Sequence, residues 1–325
     1  EMEFSRGAIT AVDAMKMNPY KTRLTILDGS QPEGDITSAL DEFNPSMIVS
    51  TSDTFMPQYL VDYVSDKQVL VVNAFDAKDE RYIDNPKVVQ YLVPTSYMNA
   101  EITDYVDSTF KDYKLLIAGS LDPGDSLGAS IIETFVKRGK DQVVELDIAE
   151  LPETVLEDEG KYLIYGTPTA SKDVKMLLEN ISELRSKNLM AEIRVMGRPN
   201  WVPYTSSLGD LLGENYVFLP SRFYFDPDES STREFINHYE SLFKLRPMKA
   251  SPVYCATAYD ILTYFVPNVA QSGGDFNTSF TSFPTLQSPM SLERVSNWSG
   301  IVNKGVYILN FRPFGSIDRI VLGGE

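Results

Sequence analysis

The chain has 325 residues, with 29 Lys and Arg against 46 Asp and Glu, one His and one Cys, so its formal charge is −17. Such a charge, with no basic run to offset it, repels phosphate backbones and anionic headgroups and excludes nucleic acid and membrane surfaces as partners. At 43% hydrophobic residues the chain is long enough for about two cored domains of roughly 150 residues, and one cysteine excludes an internal disulfide, a thiolate metal cluster and a CxxC redox pair. No apolar run reaches the ~18–20 residues that span a bilayer, so direct membrane insertion is excluded too. Met2 follows Glu1 and no signal peptide is visible; the chain reads as part of a longer protein whose targeting segment lies upstream.

Phe4, Ala8, Ala11, Val12 and Met15 recur at spacings of three and four, the stripe of an amphipathic helix that Asn18-Pro19 ends. The pattern then alternates. A strand is expected at Arg23–Leu27, a polar helix near Asp35–Glu42, a buried strand at Ser46–Ser50, a helix over Met56–Val64 and a strand at Val69–Asn73. Lys114–Ala118 reads as a strand, Ser126–Lys137 as a helix and Gln142–Leu146 as a strand. The strand Tyr162–Tyr165 leads into the helix Ser171–Lys187, and Ala191–Met196 and Asn215–Leu219 continue the series. Two helices follow, Ser231–Phe243 and Val253–Ala270. Residues 272–291 lose periodicity and read as a surface excursion whose Phe276, Phe280 and Phe283 should pack down on the lobe or on a partner, since three aromatics in eight residues are costly in water. Gly305–Arg312 and Ser316–Leu322 read as an antiparallel hairpin around Pro313-Phe314-Gly315. Short apolar runs separated by amphipathic helices mean parallel strands with crossover helices, a doubly wound α/β sheet.

Open α/β sheets bind ligands at the carboxyl ends of their strands, so the strand–loop–helix junctions are the places to look. The first is Ser50-Thr51-Ser52-Asp53-Thr54, where helix amides and hydroxyls attract an anion or where Ser52, Asp53 or Thr54 simply caps the helix. The second is Asn73-Ala74-Phe75-Asp76. The third, Gly119–Gly128, lacks the GxxxxGK[ST] and GxGxxG spacings of phosphate loops and carries Asp122 and Asp125, so it reads as a βα turn capped near Asp125 or Ser126. Catalytic sets are scarce. His238 is the only imidazole and reads as a solvated helix-face residue; without a second His neither a zinc triad nor a facial iron site can be built. Cys255 reads as a small packed hydrophobe, and Asp226 with Asp228 as a chance carboxylate pair.

Several strings, in order, resemble the type I periplasmic-binding-protein fold of the branched-chain amino-acid receptor group. They are Phe4-Ser-Arg-Gly-Ala-Ile-Thr-Ala-Val-Asp-Ala-Met-Lys16, then Asn85-Pro86 through Gln90-Tyr-Leu-Val-Pro-Thr-Ser-Tyr97, and Gly197-Arg-Pro-Asn-Trp201. Ser221-Arg-Phe-Tyr-Phe-Asp226 and Glu293-Arg-Val-Ser-Asn-Trp-Ser-Gly-Ile-Val-Asn-Lys-Gly-Val-Tyr307 complete the series. More closely the chain resembles the receptor-like regions of Bacteroidetes cell-envelope proteins that carry LysM modules. The resemblance covers nearly the whole chain.

It implies two Rossmann-like lobes with doubly wound parallel sheets, the first about 1–95 plus 226–288 and the second about 96–225 plus 289–325, with any ligand between them. Folds of this kind open with a central strand, and here the helix comes first. The opening strand is therefore expected upstream, its slot flanked by Arg23–Leu27 and Ser46–Ser50. The resemblance places ligand contacts at Ser52, Asp53, Thr54, Asn73 and Asp76 in the first lobe and at Asp122, Ser126, Thr167, Asn200 and Trp201 in the second, with Trp201 partly buried near the mouth of the cleft. Where amino-acid receptors carry a Ser/Thr-rich second loop, this chain has Asn73 to Ala77, and no acid stands near Pro199-Asn200 to pair with an ammonium group. The implied function is a non-catalytic cell-envelope ligand-binding or sensing module, periplasmic or anchored to the outer membrane, with no cofactor. Its partner would be a small, amino-acid-like molecule or an envelope protein associated with peptidoglycan. The alternatives are the solute-binding component of an amino-acid ABC transporter and a regulator of peptidoglycan enzymes.

Overall fold

The computed structural model describes residues 2–19, 21–53, 56–272 and 280–324. The chain divides into two compact units, one comprising Glu1–Thr95 and Arg222–Gly305, the other Ser96–Ser221 and Val306–Gly323. The chain thus re-enters the first unit at Arg222 and leaves it after Gly305.

The first unit contains α1 (Met2–Ala14), α2 (Glu33–Phe43), β1 (Met47–Ser50), α3 (Gln58–Ser65), β2 (Leu70–Asn73) and β3 (Val88–Gln90). The second opens with α4 (Thr95–Thr109, its first residue still in unit one), β4 (Lys114–Ala118), α5 (Ser126–Arg138), β5 (Val143–Leu146), β6 (Lys161–Gly166) and α6 (Ser171–Lys187). It continues with β7 (Glu192–Met196), α7 (Thr205–Glu214) and β8 (Val217–Ser221). The first unit resumes with α8 (Ser230–Phe243), α9 (Tyr254–Ser272), β9 (Leu292–Arg294) and β10 (Ile301–Asn303), and the second ends with β11 (Val306–Phe311) and β12 (Ile317–Leu322).

The first sheet has the order β1-β2-β3-β10-β9, parallel except for β9. Leu70, Val72, Val89 and Ile301 form one face of it and pack on Ile261 and Phe265 of α9. Helix α1 lies against α9 through small residues. Ala8 and Ala11 meet Ala258 and Leu262, and Gly7 faces the main chain of Cys255, where a Cβ would stand 2.0 Å from the carbonyl oxygen. Phe280 and Phe283 stack edge-on against Phe265 and Tyr264 at 5.7 and 6.1 Å, as the cost of solvating them demands. Phe276, Gly273 and Gly274 lie outside the described residues.

The second sheet, β12-β11-β8-β7-β6-β4-β5, is parallel from β8 to β5 and closes with the expected antiparallel hairpin β11–β12, whose inner strand pairs with β8. Beyond Lys114 and Lys161, which open β4 and β6 towards solvent, strands β4, β6 and β8 are buried, as a parallel sheet covered on both faces requires.

One expected strand is absent. Residues 21–27 form no ladder, Leu24 and Ile26 are exposed, and Arg23 instead donates to the Phe43 carbonyl at 2.8 Å and lies over its ring. β1 pairs only with β2 among the described residues, so Arg23–Leu27 has no neighbour against which its alternating side chains could gain a ladder. Strand-like composition without a partner leaves the segment irregular.

Candidate functional site

In the second unit the carboxyl ends of β4, β6 and β7 converge on Asp125. This carboxylate caps α5 by accepting from Gly128 N at 3.0 Å, accepts from Tyr165 Oη at 2.8 Å, and pairs with Arg198 Nε at 3.2 Å. Burial, and then the negative charge of Asp125, pushes the Tyr165 phenol far above its ordinary range, so it stays a donor. Arg198 also donates to the Thr167 carbonyl at 3.0 Å, while the Thr167 hydroxyl donates to Ala118 O at 2.8 Å. Gly119 makes this approach possible: its φ is +93°, and a Cβ there would stand 2.5 Å from Thr167 Oγ1.

Trp201 is fully buried, which corrects the expectation of a partly buried residue. Gly166 and Gly197 leave room for it, since a Cβ on either would meet the indole at 2.4 Å, and the ring nitrogen donates to Pro168 O at 2.6 Å. The two prolines around it hold a 3-10 turn, Pro199–Tyr204, that folds the ring inward under the loop. Trp201 and Thr167 therefore shape the loops at this end of the sheet and present no free polar group.

The remaining second-unit candidates lie on the surface. Asp122 is exposed and accepts from Gly124 N at 2.7 Å; Ser126 is exposed and accepts from Asn99 Nδ2 at 2.8 Å; Asn200 is exposed at the start of the Trp201 turn. Asp125, Tyr165 and Arg198, which hold these loops, were not singled out as site residues by sequence. Asp125 was visible only as a cap and Arg198 only within a motif string.

In the first unit Asn73 and Asp76 are buried and spent on each other's loop. Asn73 Nδ2 donates to Gln90 Oε1 at 2.9 Å and to Asp76 O at 3.1 Å, and Asn73 Oδ1 accepts from Asp76 N at 3.2 Å. Gln90 Nε2 closes the network on Asp76 O and Leu92 O, each at 2.7 Å, and the Asp76 carboxylate accepts from Lys78 N at 2.9 Å. Both residues thus brace the loops after β2 and β3. Ser52 is half-buried and Asp53 exposed after β1; Thr54 lies outside the described residues.

Titratable groups elsewhere are structural. His238 Nε2 lies 2.9 Å from Asp13 Oδ2 and links α8 to α1, a half-buried pairing instead of the solvated position its helix face suggested, because α1 packs alongside. Burial pushes the Cys255 thiol up to about 12, consistent with a packed hydrophobe. Asp226 accepts from Asp228 N at 2.9 Å in a turn. Among the described residues no group of three His, Cys, Asp or Glu is placed to hold a metal ion, and no helix is long and apolar enough to cross a membrane.

No family model matches the sequence, and a search of curated proteins finds no relative. Solved structures do match over nearly the whole chain. A putative branched-chain amino-acid ABC transporter protein from Rhodospirillum rubrum superposes with a TM-score of 0.66 at 14% identity, covering 98% of this chain and 94% of that one. An ABC transporter substrate-binding protein from Desulfitobacterium hafniense in complex with Leu gives 0.55 at 11% identity, covering 98% and 95%. A solute-binding protein of an ABC transporter from Rhodopseudomonas palustris, in complex with 3,4-dihydroxybenzoic acid, gives 0.55 at 13% identity, covering 98% and 91%. With two parallel-dominated α/β sheets in this order, the chain has the type I periplasmic-binding-protein fold.

Proposed function

We propose that the protein is a non-catalytic small-molecule-binding module, and specifically the solute-binding component of an ABC importer acting in the periplasm or cell envelope. The observation that carries this reading is the likeness to solute-binding proteins over 98% of the chain. Two of those proteins hold solutes that share a carboxylate, leucine and 3,4-dihydroxybenzoate. Taken unit by unit, Ser52 and Asp53 are the proposed ligand-facing groups of the first, and Asp122, Ser126 and Asn200 those of the second. Asn73, Asp76, Thr167 and Trp201 serve as their supports. The internal use of Asn73 and Asp76 leaves that loop without a free acid for an ammonium group, so such a group would have to meet Asp53 or Asp122 instead. Isothermal titration calorimetry against the amino acids and a set of aliphatic and aromatic carboxylates tests this. One saturable site for one chemical class is the expected result; no heat from any member contradicts it.

A second reading, an envelope interaction protein, draws on two aromatics. Trp298 is 81% exposed on the β9–β10 hairpin, and Phe314 is fully exposed at a φ of +67° on the β11–β12 hairpin. On this reading the W298A/F314A double variant loses attachment to isolated cell envelopes, with solute titrations silent in both proteins.

A further inference from the structure

We propose that the Arg222 guanidinium is the anchor for a small monocarboxylate ligand. Arg222 is the first residue after β8, and its side chain returns to the segment that follows β3. Nε donates to Val93 O at 2.7 Å and Nη2 to Thr95 Oγ1 at 3.0 Å, both neutral acceptors. Among the described residues no carboxylate pairs with it. Seven other arginines, Arg6, Arg81, Arg138, Arg194, Arg198, Arg246 and Arg312, each form an ion pair with an acid.

Arg222 is half-buried without a counter-charge, an unfavourable setting for a cation, and burial pushes its group down to about 10. The helix it touches adds to the imbalance. Thr95 opens α4, whose first turn carries no acidic residue, so the positive end of the helix faces a cation. An anion bound here relieves both. Nε and one Nη2 hydrogen are already used, which fixes the plane of the group and leaves the Nη1 hydrogens for an incoming oxygen pair.

The position separates Arg222 from Arg185, another guanidinium held by carbonyls. Arg185 donates to Ile193 O and Asn215 O, at the amino ends of β7 and β8, where it ties strands together. Arg222 lies past the carboxyl ends, where open α/β sheets take their ligands. A monoanion is favoured over phosphate because one guanidinium supplies one charge and a chain of −17 repels dianions. Recognition of a carboxylate by Arg222 rests on the small-molecule-binding reading, and a sensor would use the same anchor as an importer.

Calorimetry with benzoate, L-leucine and inorganic phosphate on the wild type, R222K, R222Q and T95A tests it, with circular dichroism to establish that each variant is folded. Saturable binding of a carboxylate by the wild type, at least tenfold weaker in R222Q and partly restored in R222K, is the expected result. Equal affinity in wild type and R222Q, binding of phosphate alone, or no binding by the wild type overturns the proposal. Should R222Q fail to fold, wild-type crystals soaked with 4-iodobenzoate decide: an anomalous peak beside Arg222 supports the anchor, and a peak elsewhere or none refutes it. Failure of the import role alone leaves all these readouts unchanged.

Discussion

Asp260 is wholly buried on α9, and its carboxylate accepts from the main-chain N–H of Leu286 at 2.6 Å and of Gln287 at 3.1 Å. Burial pushes the group up to about 7, against the pull of these donors in the other direction. The folded state then holds a proton that the unfolded chain, with its ordinary value of 3.8, releases. Between about pH 4 and pH 7 the folded state binds more protons, so this residue's contribution falls as pH rises and levels off above 7, with a slope of at most about 1.4 kcal/mol per pH unit. Denaturant unfolding of wild type and D260N across pH 4–8 measures it: the difference between the two must change with pH in that sense. Trp201 gives a second prediction. Replacing this filled site with alanine costs about 3–5 kcal/mol. In W201A the emission left from Trp298 is red-shifted and fully open to iodide quenching, as its 81% exposure dictates. A third concerns the second unit. Removing Asp125 deletes the cap of α5 and strands Arg198 without its partner, so D125A costs about 3–5 kcal/mol while Y165F costs about 1. Sequence showed Asp125 as a cap and placed Asn73 at a junction, but could not show that Gln90, seventeen residues on, uses up the Asn73 amide. Side-chain partners across strands have no local signature.

Among the elements, those with a single clear period were legible. Ser171–Lys187 and the β11–β12 hairpin fall where periodicity and turn residues put them. The helix Thr95–Thr109 was missed because Ser, Thr, Asn and Asp dilute it and only a narrow line, Met98, Ile102 and Val106, is buried. β9 and β10 span three residues each, too few for a period-2 pattern to stand out. Arg23–Leu27 failed for the opposite reason, a strand pattern with no partner. Hydrogen exchange checks that distinction: amides 21–27 exchange at loop rates while Leu70–Asn73, paired on both sides, are strongly protected. The α1–α9 contact is equally specific. G7A drives a methyl into the Cys255 carbonyl and costs about 1–3 kcal/mol, whereas A8S in the same helix costs less.

At the scale of the molecule, the fold could be read because an α/β alternation and a succession of short strings extend through the chain, and each survives the loss of any one element. The ligand could not, since recognition rests on a few side chains whose exposure depends on tertiary contacts: of the ten candidates, Asn73, Asp76, Thr167 and Trp201 turned out buried. The central claim is that the protein holds a small molecule without transforming it. Native mass spectrometry after incubation with an equimolar mixture of amino acids and aliphatic and aromatic carboxylates tests this most directly. One adduct per chain, with the mass of an unaltered carboxylate from the mixture, is the expected result. A spectrum with no adduct from any component, or with solutes chemically changed in the recovered mixture, would contradict it.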